Sequence, residues 1–429
     1  MTQAGTGTTP ALTIPGDSGS AARRCRFCGS SDQAVVVDLG PSPLSQSFLR
    51  PDQLDQMEPF YPLRVTVCRE CFLVQLPEFA SPGEIFSDYA YFSSYSESWL
   101  DHARRYAERM IAERGLGRQS LVVELASNDG YLLQHFVARE VPVLGIEPAR
   151  NVAAAAIERG IPTTVEFFGT ALAEQLVGEG RRADLLVGNN VLAHVPDLND
   201  FVAGMARLLA DDGLLTMEFP HLLQLLDENE FDTIYHEHFS YFSLETAQRV
   251  FRAHGLTVVD VDELETHGGS LRIHVQHAAA DPAVRPSVPA LIERERAAGL
   301  GRMEPYRAFG GRIEAVKRDV LEFLIGLRRE GRTIAGYGAP AKANTLLNYC
   351  GIRPDLLAYT VDRNPYKQGL FTPGTRIPIH HPDRLAETRP DFIWILPWNL
   401  EDEIVKQLDY VRSWGAKFVV AIPGLRVID

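Results

Sequence analysis

Short, continuous apolar runs alternate with segments of helical periodicity through most of the chain. The first set of runs comprises Ser120–Leu125, Val141–Glu147, Ala183–Gly188 and Gly213–Phe219. Continuous apolar strands separated by helices predict a parallel sheet that is covered on both faces. The second set comprises Thr333–Gly336, Leu356–Val361, Phe392–Leu396 and Phe418–Ile422. The pattern therefore predicts an α/β chain with two sheet domains.

Three other regions interrupt this alternation. Residues 1–21 are mostly Thr, Gly, Ser and Pro with few large apolar side chains, a composition typical of a flexible tail. Residues 22–85 are rich in turns and allow only short strands. Residues 281–330 are charged and helical in pattern after a cluster of prolines, as expected of a linker. We therefore expect a small module at 22–85, an α/β domain at 86–280 and a second α/β domain at 331–429.

Composition and charge narrow the classes of partner. The chain has 429 residues, of which 45% are hydrophobic and 23% are charged, so each of about three domains can form a core. A net charge of -14 repels nucleic acid and anionic membranes. No apolar stretch approaches the length of a membrane span, and the N-terminus has neither the basic nor the apolar region of a signal peptide. We expect a cytoplasmic protein without nucleic-acid or membrane partners.

Four of the five cysteines form two CxxC pairs. Cys25 and Cys28 make the first pair, and Cys68 and Cys71 make the second. Two residues between thiolates let each pair point its sulfurs at one ion, and two such pairs complete a tetrahedral site. The pattern predicts a structural zinc ion, since no position is left for a catalytic water. Four buried thiols or a redox pair are the alternatives. Cys350 stands alone and is expected to pack as a small apolar residue.

The first strand of the middle domain ends in a turn of small residues. Val122–Leu125 leads into the turn 126–130, with sequence ASNDG, and a helix is expected from Tyr131. A ligand can approach the backbone over such a turn at the carboxyl end of a parallel sheet. The next strand ends in Glu147, where a carboxylate can accept hydrogen bonds from two ribose hydroxyls. The GxGxxG fingerprint is absent, so a turn selected only for packing is the alternative.

Six strings across the chain resemble the sugar-nucleotide C-methyltransferases of deoxysugar biosynthesis. They are Val123–Leu132, Gly145–Pro148, Asn189–Val195, Tyr235–Tyr241, His267–Arg272 and Gly336–Lys342. The string YHEHFSY at 235–241 is far more specific than a turn of small residues, and the cysteine quartet also fits. The resemblance extends from about Cys25 to the C-terminus.

This resemblance implies an enzyme that uses S-adenosylmethionine to methylate C3 of a dTDP-linked 4-keto-deoxyhexose. It implies a small N-terminal zinc-binding module, a central Rossmann-like methyltransferase domain and a C-terminal Rossmann-like α/β domain. It places Glu147 at the adenosine ribose, and Asn189 and Asn190 beside the methionine moiety. The remaining residues of the implied donor pocket are Glu124, Ala126, Ser127, Asn128 and Gly130.

Methyl transfer to carbon requires a base, because a C–H proton must leave before the carbon can attack. The C4 ketone then carries the negative charge as an enolate, which a hydrogen-bond donor can stabilise. The resemblance assigns the base to His238, with Tyr235 and Glu237 arranging the site. A helix would put Tyr235 and His238 on one face, whereas a strand would put His236 and His238 there. A metal pair in the run His236-Glu237-His238 is the alternative.

The resemblance also places Tyr89 and His194 near the sugar, where His194 is a candidate donor to the keto oxygen. Arg272 and Lys342 complete the expected substrate contacts. Tyr89 lies in an aromatic run that could instead pack a domain interface, and His194 could lie at a helix end facing solvent.

The first strand of the last domain also ends in a glycine-rich turn. Lys342 follows it in the first turn of an expected helix, where it could hold a pyrophosphate together with backbone N–H groups. The spacing of Gly336, Gly338 and Ala341 nearly meets the dinucleotide fingerprint, and Asp362 at the end of the next apolar run could serve either a ribose or a turn. An NAD-dependent sugar-nucleotide oxidoreductase is therefore one rival function. A non-catalytic zinc-ribbon binding protein is the other, and a domain that is only a scaffold for the sugar cleft is a further alternative.

Overall fold

The computed structural model describes residues 24–81, 83, 93–95 and 97–429. The expected flexible tail at 1–21 lies outside these residues, as does Tyr89. Within them the strands form three sheets, and the two larger sheets match the two predicted α/β patterns. None of the described helices is long and apolar enough to cross a membrane.

The first sheet has four strands in the order β1-β2-β3-β9. Its strands are β1 (Gln33–Ser42), β2 (Tyr61–Cys68), β3 (Val74–Gln75) and β9 (Ser240–Tyr241). All its pairs are antiparallel. Leu63, Val65 and Val67 alternate with more exposed residues and face a shared core, as the two-residue period of a strand requires. Because β9 belongs to the next domain in the chain, this sheet joins the N-terminal module to the middle domain.

The second sheet has seven strands in the order β10-β11-β8-β7-β4-β5-β6. Its strands are β4 (Val122–Leu125), β5 (Val143–Ile146), β6 (Thr163–Thr164), β7 (Ala183–Asn189), β8 (Leu209–Pro220), β10 (Leu256–Leu264) and β11 (Ser270–His277). The strands from β8 to β6 are parallel, whereas β11 runs antiparallel to both its neighbours.

Helices cover both faces of this sheet, as the continuous apolar strands predict. Val122 packs in one core with Phe136, whereas Val123 packs in the other with Phe201. The helices are α1 (Glu97–Arg114), α2 (Leu133–Val137), α3 (Arg150–Glu158), α4 (Thr170–Gly178), α5 (Leu198–Leu208), α6 (Leu222–Asp227) and α7 (Leu244–Ala253). The strand order reverses between β4 and β7, so the loops after these two strands form the cleft where such sheets bind ligands.

The third sheet has six strands in the order β14-β13-β12-β15-β16-β17. Its strands are β12 (Ile334–Tyr337), β13 (Thr360–Val361), β14 (Ile379–His380), β15 (Phe392–Ile395), β16 (Lys417–Val420) and β17 (Arg426–Ile428). Only β17 is antiparallel. Here the order reverses between β12 and β15, so the chain contains two switch points.

The expected linker is helical and packs as part of the fold. It contains α8 (Ser287–Ala297) and α9 (Glu304–Arg329). Tyr306, Phe309 and Ile313 of α9 share a core with the N-terminal sheet and the third sheet. The later helices are α10 (Ala341–Cys350), α11 (Arg384–Thr388) and α12 (Glu401–Gln407). Short 3-10 helices span Pro51–Gln53, Ser93–Tyr95, Leu192–His194, Phe231–Thr233, Thr266–Gly268, Ala278–Ala280, Trp398–Leu400 and Asp409–Trp414.

Candidate functional site

The four cysteines of the CxxC pairs converge beside the end of β2. Their sulfur atoms all lie within 4.8 Å of one another. The Sγ atoms of Cys25 and Cys71 are 3.5 Å apart, as are those of Cys28 and Cys68. Four thiols at this spacing fit a tetrahedral zinc ion, and all four positions are supplied by the protein. Zinc would therefore hold the two knuckles together without taking part in chemistry.

A metal pair at His236 and His238 is not supported. Among the described residues, the cysteine quartet is the one group of three or more His, Cys, Asp or Glu side chains placed to hold a metal ion. His236 donates from Nε2 to the carbonyl oxygen of Pro62 at 3.3 Å, and its ring packs edge-on against Tyr61 and Phe79. His236 therefore faces the N-terminal module.

The turn after β4 lies at the first switch point. Ala126 and Asn128 have φ values of 55° and 50°, so the turn adopts the left-handed backbone that a glycine fingerprint would otherwise supply. Glu147, at the end of β5, accepts hydrogen bonds from the backbone N–H groups of Asn128 at 2.9 Å and Ala149 at 2.8 Å. Burial nevertheless raises the pKa of Glu147. A carboxylate is therefore fixed beside the turn.

Buried polar atoms on the same cleft lack hydrogen-bond partners among the described residues. They are the Oδ1 atoms of Asn189 and Asn190, at the end of β7, and the hydroxyl of Ser127. Glu124 is fully buried, and burial raises its pKa well above the ordinary value. Unsatisfied buried polar groups are rare and often mark the place of an absent ligand. Acceptors of this kind fit the ammonium and ribose hydroxyl groups of S-adenosylmethionine.

The segment from Tyr235 to His238 is a turn. It places Tyr235, rather than His236, beside His238. The backbone N–H of His238 donates to the carbonyl oxygen of Tyr235 at 2.9 Å. The centroids of the Tyr235 and His238 rings are 4.0 Å apart. The turn thus brings together the pair that a helix would have brought together, although the segment is neither helix nor strand.

His194 and His238 lie together next to the cleft at the first switch point. The 3-10 helix Leu192–His194 follows β7 directly, and the two ring centroids are 4.8 Å apart at 80°. The backbone N–H of Phe239 donates to Ala193 at 2.7 Å, so the two loops are tied together beside the rings.

Hydrogen bonding and burial define the state of His238. Its Nδ1 donates to the carbonyl oxygen of Thr233 at 2.7 Å, which leaves Nε2 with the lone pair. Burial lowers the pKa of His238 well below the ordinary value and lowers that of His194 to about 4. Both rings are therefore neutral at neutral pH. Neutral His238 can accept a proton at Nε2.

Glu237 points from the same turn toward the N-terminal module. It is 3% exposed and accepts a hydrogen bond from the Ser45 hydroxyl at 3.3 Å. Burial raises the pKa of Glu237 to about 7. The carbonyl oxygen of Ser45 accepts a hydrogen bond from Asn344 of α10 at 2.5 Å. Glu237 therefore lies where all three domains meet.

Lys342, in the first turn of α10, reaches the middle domain. Its Nζ donates to Asn399 at 3.1 Å and to the carbonyl oxygen of His267 at 3.4 Å, and it lies 4.5 Å from the centre of the Trp398 ring. Trp398 in turn donates to Asp232 at 2.8 Å. Burial lowers the pKa of Lys342 and raises that of Asp232 to about 6. A contact between Lys342 and a pyrophosphate stays a prediction.

Arg272 lies in a buried ion pair on β11, and its contact with a sugar stays a prediction. The side chain is 4% exposed and donates to Glu218 at 2.5 Å. His102 and Thr266 also contact Glu218, each at 3.0 Å. Burial opposes ionisation of Glu218, but the hydrogen bond from His102 and the charge of Arg272 lower its pKa to about 2. Arg272 thus holds a buried carboxylate in place.

Sequence reasoning missed the residues that support this cleft. His267 accepts a hydrogen bond from Asn190 at 3.0 Å, with its ring edge-on to Trp99. Glu218 was visible as a charged residue within an apolar strand, and His267 begins one of the six strings of the resemblance but received no role there, whereas His102 left no comparable signal. Tyr89 lies outside the described residues, so its contact with the sugar also stays a prediction.

Three family models match successive parts of the chain. A model described as a zinc binding domain matches residues 25–86, a methyltransferase domain matches residues 99–261, and a C-methyltransferase C-terminal domain matches residues 265–423. The match to the first model agrees with the cysteine quartet.

Two curated proteins are similar to the chain over very different lengths. The C-methyltransferase NovU of Streptomyces niveus is 39% identical over 405 residues, which cover 94% of this chain and 96% of NovU. A ubiquinone biosynthesis O-methyltransferase of Bartonella tribocorum is 26% identical over 95 residues, 22% of this chain and 38% of that protein. The similarity to NovU therefore includes all three sheets.

One of the similar solved structures is a magnesium protoporphyrin IX methyltransferase from Synechocystis with bound SAH. Its TM-score is 0.33 at 13% identity, and the match covers 41% of this chain and 81% of that one. This likeness is too distant to assign any property to the chain.

Proposed function

Because the chain belongs to the family of S-adenosylmethionine-dependent C-methyltransferases that carry a zinc-binding module, we propose that it methylates C3 of a dTDP-linked 4-keto-deoxyhexose. The reaction would belong to deoxysugar biosynthesis, in the cytoplasm. The observation that carries the proposal is the His194–His238 pair, in which His238 keeps a lone pair at Nε2 beside the donor cleft. Family membership leaves the oxidoreductase and the non-catalytic binding protein without support.

His238 is the proposed base. Its Nε2 takes the proton from the carbon next to the ketone, while the Nδ1 hydrogen bond to Thr233 holds the ring and its tautomer. Burial keeps the ring unprotonated, so the lone pair is available at neutral pH. Tyr235 packs against one side of the ring, and Glu237 anchors the turn through Ser45.

The enolate oxygen needs a hydrogen-bond donor when the proton leaves. The ring of His194 lies 4.8 Å from that of His238, and we assign it this role, in which its one N–H would turn from the backbone of Glu237 to the enolate oxygen. A donor fixed in advance within a buried site stabilises developing charge strongly. Lys342 is the proposed cationic contact for the sugar nucleotide, and Arg272 and Tyr89 are its further proposed contacts.

Donor binding is assigned to the first switch point. S-adenosylmethionine supplies an electrophilic methyl group when it is bound. Glu147 accepts from the ribose hydroxyls, and the open oxygens of Asn189 and Asn190 accept from the methionine ammonium group. The wall of the pocket is formed by Glu124, Ala126, Ser127, Asn128 and Gly130.

The deciding experiment is mass spectrometry with NMR of the product. A dTDP-4-keto-2,6-dideoxyhexose is incubated with enzyme and S-adenosylmethionine in heavy water, so that methylation and C–H exchange are both visible. We expect one methyl group at C3. A C4 ketone acidifies C5 as well as C3, so a methyl group at C5 would contradict the assigned position while retaining the reaction. Neither methylation nor exchange with this or related keto sugars would contradict the proposal.

Replacement of His238 tests the base, with its neighbour His236 as the matched control. His238→Asn should lower turnover about 100-fold or more, as removal of a general base does, with unchanged donor affinity. His236→Asn should change turnover little, because His236 faces Pro62. The wild-type rate should remain constant down to below pH 6.5, since burial lowers the pKa of His238 and the base is lost only when it is protonated. Near-normal turnover of His238→Asn would remove it from the role.

A further inference from the structure

The zinc knuckle lies directly against the two loops that carry His194 and His238. The inference drawn from this contact rests on the proposed function, because it concerns how those two histidines are held. Arg26 lies between Cys25 and Cys28, inside the first knuckle. Its side chain leaves the zinc module and enters the middle domain, so the metal site and the candidate catalytic site share a residue at their boundary.

Arg26 contacts both histidine loops. Its Nη1 donates to the carbonyl oxygen of Pro196 at 2.8 Å, two residues after His194. Its guanidinium lies 5.4 Å from the centre of the Phe239 ring, one residue after His238. Its Nη2 donates to the carbonyl oxygen of Leu76 at 2.6 Å. One planar, forked cation therefore joins the module to each loop just beyond its histidine.

Backbone hydrogen bonds form a second connection along the same path. The N–H of Leu76 donates to Phe239 at 3.0 Å, and the N–H of Phe239 donates to Ala193 at 2.7 Å. Strand β3 also pairs with β9 immediately after the turn, with Gln75 opposite Ser240. Displacement of the knuckle would therefore displace the histidine turn.

We propose that Arg26 is a positioning residue that keeps His194 and His238 in register, and that the zinc module thereby serves as the scaffold of the catalytic pair. Arg26 touches neither the donor cleft nor the lone pair of His238 in the structure. It acts through Pro196 and Phe239. The four-cysteine site accordingly stabilises its own module and also the positions of His194 and His238.

Arg26→Gln, with Arg64→Gln as the matched control, tests this role. Arg64 lies in the same module, but its side chain is exposed and pairs with Asp38 at 2.7 Å. Arg26→Gln should lower kcat about 10- to 100-fold, since small displacements of catalytic groups cost rates of this order. Zinc content and donor affinity should remain within twofold of wild type. Arg64→Gln should change none of these quantities.

The ring signals of His194 and His238 give a readout that needs no substrate. Histidine-labelled protein, with signals assigned through His194→Asn and His238→Asn, should show both signals shifted or broadened in Arg26→Gln and unchanged in Arg64→Gln. Arg26→Lys keeps the charge but cannot donate to both carbonyls in the same geometry, so it should restore activity only in part.

The outcomes separate this inference from the proposed function. Unchanged ring signals together with kcat within twofold of wild type would overturn the positioning role. Shifted ring signals in an enzyme that exchanges no C–H hydrogen would support the positioning role while contradicting the proposed function. Should Arg26→Gln lose zinc, Arg26→Lys replaces it, and full activity of a zinc-loaded Arg26→Lys enzyme with unchanged ring signals would overturn the proposal.

Discussion

Two sheets of this chain share one strand order but differ in what their clefts contain. The middle sheet has β6-β5-β4-β7-β8 and the last sheet has β14-β13-β12-β15-β16. In each, a turn of small residues follows the first strand, and an acid at the end of the second strand accepts hydrogen bonds from backbone N–H groups. Glu147 binds Asn128 and Ala149, and Asp362 binds Ala339 and Asn364.

The two clefts differ in the positively charged side chains that lie near these acids. Lys367 donates to the carbonyl oxygen of Ala339 at 2.9 Å and lies 3.9 Å from the carboxylate of Asp362. Among the described residues, no lysine or arginine pairs with Glu147. On the other side of the switch point in the last sheet, Lys342 donates to Asn399. On the same side in the middle sheet, the side-chain oxygen of Asn189 has no hydrogen-bond partner among the described residues. The acid of the last cleft therefore already has a cation beside it, whereas Glu147 has none among the described residues and the Asn189 oxygen is open to a ligand.

This comparison teaches that strand order and turn composition do not by themselves identify a cofactor site. The spacing of Gly336, Gly338 and Ala341 is closer to a dinucleotide fingerprint than the turn ASNDG is. Yet Asp362 already has a cation beside it, which disfavours its use for a ribose. The state of the polar groups distinguishes the two clefts, and that state follows from tertiary contacts.

The largest expected effect is on donor affinity, and it compares the two acids. Glu147→Gln should weaken binding of S-adenosylmethionine about 10- to 100-fold, because hydrogen bonds to a charged group are lost. Asp362→Asn, the same change at the equivalent position of the other sheet, should leave affinity within twofold. Isothermal titration calorimetry measures both. Equal losses in the two variants would contradict the assignment of the donor to the middle cleft.

A smaller effect is expected on stability when Lys367, the cation beside Asp362 in the last cleft, is replaced. Lys367→Met leaves the carboxylate of Asp362 without its cation, and breaking a largely buried pair should cost about 2 kcal/mol. Lys417→Met, which breaks an exposed pair with Asp429, should cost little. Hydrogen exchange within residues 334–420 and the melting temperature measure the difference. Equal stability of the two variants would contradict a stabilising pair between Lys367 and Asp362.

The fold was largely predictable because its signals are local. Continuous apolar runs such as 183–188 mark buried parallel strands, and the CxxC spacing of Cys25 and Cys28 gives half of a tetrahedral site. The sequence also placed the base candidate in the string 235–241. It could not decide between helix and strand there, because the segment is a turn fixed by contacts with Thr233 and Ala193.

The parts of the site that escaped prediction depend on residues far apart in the chain. Glu218 meets Arg272 and His102 only when β8, β11 and α1 are assembled. The approach of Lys367 to Asp362 depends on the path of the loop after β13. Such pairings are set by the packing of whole elements, for which a single sequence gives no periodic signal.

The smallest expected effect concerns the backbone of the turn after β4. Ala126 has a φ of 55°, a conformation that costs a residue with a Cβ about 1–2 kcal/mol, while glycine loses slightly more entropy on folding. Ala126→Gly should therefore stabilise the protein by less than about 1 kcal/mol. Gly338→Ala is the reverse change in the other turn and should destabilise it, since φ is 90° there and a Cβ would lie 2.6 Å from Pro397. Thermal unfolding measures both, and a lower melting temperature for Ala126→Gly would show that the donor turn is held by the Ala126 side chain rather than strained by it.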